Sequence, residues 1–227
     1  MPQSTYITLR QEWATAWQSP RFRRMMRLGA SLTIIMLSLF PLFFQIIEKR
    51  DGIVVNDRLL DILPPHNVSM GILLIVWSMG ALMLVRCIRS PELLMTFIWS
   101  YVAVNLCRVL TITLVPLDPP ANLIVLADPM SNAFYGAKFV TKDLFFSGHT
   151  SAVFLIFLCL PGRTDKAIAL TASVLVGILV LVQHIHYTMD VVAAPLFTWL
   201  LFVLMQRVLQ RYGVIGAGRV VGAEADR

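Results

Sequence analysis

Six apolar runs, near 29–47, 68–85, 93–117, 146–160, 167–185 and 189–208, decide what this chain can fold into. A helix needs about 20 mostly apolar residues, within a range of roughly 17–25, to cross a bilayer. In the hydrocarbon every backbone N–H and C=O must be satisfied within its own segment, so runs of this length span as helices. The fold class is therefore all-α, a polytopic membrane helical bundle of six transmembrane helices. Four runs reach the length with ease. The run at 146–160 is short because Pro161-Gly162 stops it. The last two are divided only by the polar stretch His184–Asp190.

At 227 residues and 57% hydrophobic content, the chain reads as one membrane domain rather than several soluble ones. Residues 29–208 form that domain, 1–28 a cytoplasmic N-terminal segment and 209–227 a cytoplasmic tail. The net charge of +6 reflects basic flanks of membrane helices. No basic patch is interleaved with stacking aromatics, so nucleic acid is not an expected partner. Cys87, Cys107 and Cys159 lie in or beside apolar runs without Cys-x-x-Cys spacing, and read as small buried residues. The first apolar run exceeds a signal-peptide core and reads as a retained helix. Trp13 and Trp17 stand one turn apart before Arg21, Arg23, Arg24 and Arg27. This stretch is either an interfacial helix on an anionic surface or a disordered arm.

Lysine and arginine in the short loops set the orientation. With a cytoplasmic N-terminus, thirteen fall on the cytoplasmic side and five on the other, with Arg108 inside the membrane. Both termini are then cytoplasmic. The segments 48–67, 118–145 and 184–189 lie on the non-cytoplasmic face. The loop 118–145 is long and stiffened by prolines, and its Leu123, Ile124, Val125, Phe134 and Tyr135 make it a rim or lid on the outer leaflet.

Two polar islands fall on that face. In the second, His186 and Asp190 are four residues apart, one face of a helix. A carboxylate beside an imidazole fixes its tautomer and frees the other ring nitrogen as nucleophile or base. A helix-end pair held for packing fits the spacing as well. In the first, Ser147 is placed to cap a helix starting near His149, and Gly148 lets a substrate approach the backbone. The free N–H groups of that turn suit an anion such as phosphate, and His149 stands ready to move a proton to or from a leaving oxygen. A plain helix cap with a neighbouring histidine is the alternative. Arg108, inside the third run, offers with Thr111 a forked donor for phosphate oxygens. Its alternative is to snorkel or to pair with an acid such as Asp190 or Asp143. His184 and His186 do not complete a metal-ligand set, since no cysteine or carboxylate cluster accompanies them, and no metal or other cofactor is expected.

Asp143-Leu-Phe-Phe-Ser-Gly-His-Thr150 and His186-Tyr-Thr-Met-Asp190-Val-Val resemble the two signature motifs of the sphingomyelin synthase family, within the type 2 phosphatidic acid phosphatase superfamily. Order, spacing and helix number resemble that family over about 29–208. Asp57–Pro64 and Asn105–Pro116 are similar to its two upstream motifs. Lys142-Asp143 stands where the family shows Cys-Gly-Asp, and the Lys-x6-Arg-Pro motif of the superfamily's phosphatases is absent. The resemblance implies His186 as nucleophile through a phosphohistidine, Asp190 as its orienter, and His149 as acid and then base. It implies a lipid phosphotransferase that moves a phospho-head group from a phospholipid donor to a lipid alcohol acceptor such as ceramide. A lipid phosphate phosphatase, with water as acceptor, and a catalytically silent scaffold or lipid-binding protein are the other two readings. A short chain with few appendages suits a bacterial inner membrane.

Overall fold

The computed structural model describes residues 9–126 and 140–216. Among them it is a bundle of eight helices: α1 (Leu9–Gln18), α2 (Pro20–Ile47), α3 (Arg58–Ile62), α4 (Ser69–Arg89), α5 (Pro91–Leu114), α6 (Gly148–Cys159), α7 (Arg163–Val182) and α8 (Thr188–Arg211). The only pairing of extended backbone among these residues is one bridge, Ile53 to Leu117. The termini of the long helices follow from local chemistry. Ser19 and Ser90 each cap a helix whose first residue is proline, where a missing N–H costs nothing.

Five helices, α2, α4, α5, α7 and α8, are long and apolar enough to cross a membrane. Their outward faces carry Ile34, Ile46, Met70, Leu114 and Val192, each more than half exposed, which is the surface a lipid phase covers. The sixth apolar helix, α6, differs from the other five. Its 12 residues rise only about 18 Å, short of the hydrocarbon thickness. It lies inside the bundle against α4, α5, α7 and α8. Val153 and Leu155 meet Ile72 and Met83 of α4 and Val176 and Val180 of α7 in the main core. The six-helix bundle expected from the sequence is thus five spans wrapped on one short central helix.

Alternating helix direction gives the bundle two ends. One carries Arg86 and Arg89 of α4, Arg163 and Lys166 of α7, Arg207 and Arg211 of α8, and the arginines at the start of α2. Arg86 Nε meets Asp165 Oδ2 at 2.6 Å there, and Trp13 of α1 donates to the Ile88 carbonyl at 2.8 Å. The tryptophan segment is therefore a helix folded onto the end of α4. The first span starts at Pro20 and runs unbroken through position 28. The other end collects the segments 48–68, 115–126, 140–147 and 183–187. Residues 127–139 of the proposed rim, with Phe134 and Tyr135, and residues 217–227 of the tail lie outside the described residues.

Candidate active site

Ser147 does cap α6: its hydroxyl accepts from Thr150 N at 3.4 Å. Arg108, on α5 and 7% exposed, lies directly against the next residue. A Cβ at Gly148 would stand 2.6 Å from Arg108 Nη2 and 2.7 Å from Cζ. Glycine is required here because a guanidinium fills the space, not because the backbone lies open. Arg108 is held on three sides. Nη2 meets both Asp143 oxygens at 2.5 and 2.6 Å, Nη1 donates to Asn105 Oδ1 at 3.2 Å, and Nε to the Phe146 carbonyl at 3.4 Å. Of the two acids weighed as partners, the structure selects Asp143. Thr111 donates to the Phe145 carbonyl at 2.8 Å and the Arg108 carbonyl at 3.1 Å, so its hydroxyl holds the 143–148 turn.

The second island sits at the start of α8. His186 is 4% exposed and Asp190 fully buried. His186 Nδ1 lies 3.4 Å from Asp190 Oδ2, and the same oxygen accepts from Tyr187 N at 3.2 Å. The spacing predicts a pair on one face of a helix; the helix instead begins at Thr188, after His186. Asp190, in the first turn, folds back as a capping carboxylate and meets the imidazole on the way. A carboxylate only accepts, so in the neutral ring this contact selects the tautomer with the proton on Nδ1 and a lone pair on Nε2. Asp190 Oδ1 is buried with no hydrogen-bond partner among the described residues. Positive charge developing on His186 would lie against Asp190 Oδ2.

The two islands are tied through the backbone. Ser147 N donates to the Asp190 carbonyl at 3.2 Å, which fixes the start of α6 to the start of α8. Beneath that contact Phe146 stacks on Phe197, ring centroids 5.0 Å apart. His149, the second residue of α6, is half-buried, and 28% of the Asp143 side chain is exposed. Glu48 holds the incoming strand of chain, accepting from Thr141 N and Lys142 N at 2.6 and 2.7 Å. Lys142 Nζ pairs with Asp118 at 2.6 Å, which depresses the Asp118 carboxyl below its ordinary range. Arg50 donates to the carbonyls of Ile112 and Thr113 at the end of α5. Asp57, which opens the upstream segment Asp57–Pro64 and to which the motif reading assigns no role, accepts from both the backbone N–H and the hydroxyl of Thr188, at 2.6 and 2.9 Å. Its burial works to raise the carboxyl, and the hydrogen bonds from Thr188, Leu60 and Leu59 together outweigh that and lower it.

His184 turns away from the site, with Nε2 on the Leu63 carbonyl at 2.9 Å. No group of three histidine, cysteine or acidic side chains able to hold a metal ion stands together among the described residues. What the site contains is a buried His–Asp pair, a second histidine at a capped helix start, and a buried guanidinium against that start.

Residues 142–207 match the family model described as PAP2 superfamily C-terminal. The matched segment holds His149, His186 and Asp190 and covers α6, α7 and most of α8. It places the similarity in the type 2 phosphatidic acid phosphatase superfamily of membrane phosphatases and phosphotransferases. Arg108, Thr111 and Asp57 lie upstream of it. No curated protein and no solved structure matches the chain.

Proposed function

We propose that this protein is a lipid phosphotransferase of sphingomyelin synthase type, working by double displacement through a phosphohistidine. The observation that carries the reading is the Ser147–Asp190 backbone contact, which joins a capped helix start bearing His149 to the buried His186–Asp190 pair. His186 Nε2 attacks the phosphorus of a phospholipid. The P–N bond forms as the P–O bond to diacylglycerol breaks, and His149 gives its proton to the leaving oxygen. The hydroxyl of a lipid alcohol then loses its proton to His149 and attacks phosphorus. The P–N bond breaks and its electron pair returns to Nε2. Arg108 and the positive end of the α6 dipole supply the field for the phosphate oxygens. Water in place of the alcohol turns the second half into a hydrolysis after the same first half, and the superfamily match of residues 142–207 applies equally to that reaction.

Purified protein with head-group-labelled phosphatidylcholine, phosphatidylethanolamine and phosphatidate, with and without ceramide, tests the reading. A new labelled phospholipid formed only with ceramide is the expected result. Labelled phosphate or phospho-head group released without acceptor assigns the hydrolysis. No turnover of any donor leaves neither reaction standing.

The basic end of the bundle defines the orientation of the proposal, with the site on the non-cytoplasmic face of a bacterial inner membrane. Asp61, beside the site, and Thr164, at the basic end, are both exposed. In a background without Cys87, Cys107 and Cys159, Asp61→Cys should react with a membrane-impermeant thiol reagent in intact cells. Thr164→Cys should react only after permeabilisation. Reaction at position 164 alone reverses the orientation.

A further inference from the structure

Asp57 lies in the connection between α2 and α4, 131 positions from the residue it binds most tightly. Its Oδ1 accepts from Leu59 N and Leu60 N at 3.1 and 3.4 Å, an ordinary N-cap for the five-residue α3. The shorter bonds go elsewhere. Thr188 N reaches Oδ2 at 2.6 Å and Thr188 Oγ1 reaches Oδ1 at 2.9 Å. One carboxylate thus serves two helix starts, and its stronger, charge-assisted contacts are with α8.

The start of α8 needs such a partner. Its N-cap residue is Tyr187, whose hydroxyl is taken up by Val55 N at 3.2 Å and the Asp118 carbonyl at 2.9 Å. Asp190 turns back to Tyr187 N and His186. Thr188 stands midway between His186 and Asp190, and its two donors end on Asp57. His186 itself precedes the helix, so its approach to Asp190 depends on where that first turn is held.

We propose that Asp57 is a positioning residue for the His186–Asp190 pair: it anchors Thr188 and thereby holds His186 Nδ1 on the carboxylate and Nε2 toward the substrate. The inference rests on the phosphohistidine reading above. Asp57 touches no reacting atom and acts on turnover through Thr188.

The test measures kcat, KM and melting temperature in detergent, with a p-nitrophenyl phosphodiester as donor, for Asp57→Asn, Thr188→Val, Thr188→Ser and His186→Ala. Asp57→Asn replaces an acceptor by a donor and should lower kcat about 10²-fold with KM within about twofold, as a roughly 1 Å misplacement does. Thr188→Val loses one charge-assisted bond and should lower kcat about tenfold, with Thr188→Ser returning to the wild-type value. Wild-type kcat in both Asp57→Asn and Thr188→Val overturns the inference. So does a Thr188→Val enzyme with wild-type kcat if Asp57→Asn fails to fold, or a loss confined to KM. His186→Ala separates the two layers. If it keeps wild-type turnover, the phosphohistidine reading fails. If it is inactive while the Asp57 and Thr188 variants turn over normally, only the positioning role fails.

Discussion

His186→Ala is expected to abolish covalent labelling of the protein by a head-group-labelled phospholipid, and with it all transfer. Nδ1 faces Asp190, so Nε2 is the only nitrogen of that ring free to form the bond to phosphorus. His149→Ala should keep the capacity to be labelled and lose rate in both halves, typically 10²–10⁴-fold, because it removes a proton carrier and not a nucleophile. A p-nitrophenyl donor needs little protonation of its leaving group. It should restore labelling in His149→Ala and leave His186→Ala unlabelled. Quenching in alkaline detergent preserves the label, and its loss on acid treatment identifies a phosphohistidine. Asp190→Asn should fall between the two variants, since the imidazole stays but the oriented carboxylate is gone. Label retained in His186→Ala, or rescue confined to that variant, would assign the two histidines the other way round.

The second large effect is expected from one methyl group. In Gly148→Ala the new Cβ meets the Arg108 guanidinium at 2.6–2.9 Å, and Arg108 cannot step aside without leaving Asp143, Asn105 or the Phe146 carbonyl. Overpacking of this kind costs about 1–3 kcal/mol of stability. The larger consequence is displacement of the guanidinium from the helix start, worth about 10²-fold in kcat/KM for a shift near 1 Å. Arg108→Lys should cost as much, because one ammonium replaces a fork that spans three acceptors. Folding should survive the change, since the Asp143 side chain is 28% exposed and regains water. If both substitutions act on one feature, Gly148→Ala/Arg108→Lys should be no worse than Arg108→Lys alone. Simple multiplication of the two losses would show that Gly148 does not act through Arg108.

The sequence carried the parts of this architecture that are written locally. Run length and composition give the apolar helices, Pro161-Gly162 gives the early end of α6, and Ser147 gives its start. The pairing of His186 with Asp190 follows from spacing, although the structure reaches it through a capping turn and not a helical face. The contacts written across the chain were not legible. Arg108 had two candidate acids, and nothing in the order of residues could prefer Asp143, which lies 35 positions away. Thr111 looked like a phosphate donor, and only the folded turn shows its hydroxyl on the Phe145 carbonyl. Asp57 shows in sequence only as the first residue of a segment similar to an upstream motif, and its capping of the short α3 is a finding of the structure. Its second partner, Thr188, becomes visible only when the end of one span is brought to the start of another.

The brevity of α6 bears on how the protein is made. A segment of 12 residues falls below the roughly 17 that a helix needs to cross the hydrocarbon. It packs against α4, α5, α7 and α8, and the Pro161-Gly162 corner turns it into α7. On the proposed orientation, the segment bearing His149 would enter the bilayer with α7 as a helical hairpin whose tip, with Arg163 and Lys166, stays on the cytoplasmic side. On that reading, the capped helix start that bears His149 is in place only once α7 has been threaded, and assembly of the proposed site waits on the insertion of the following span.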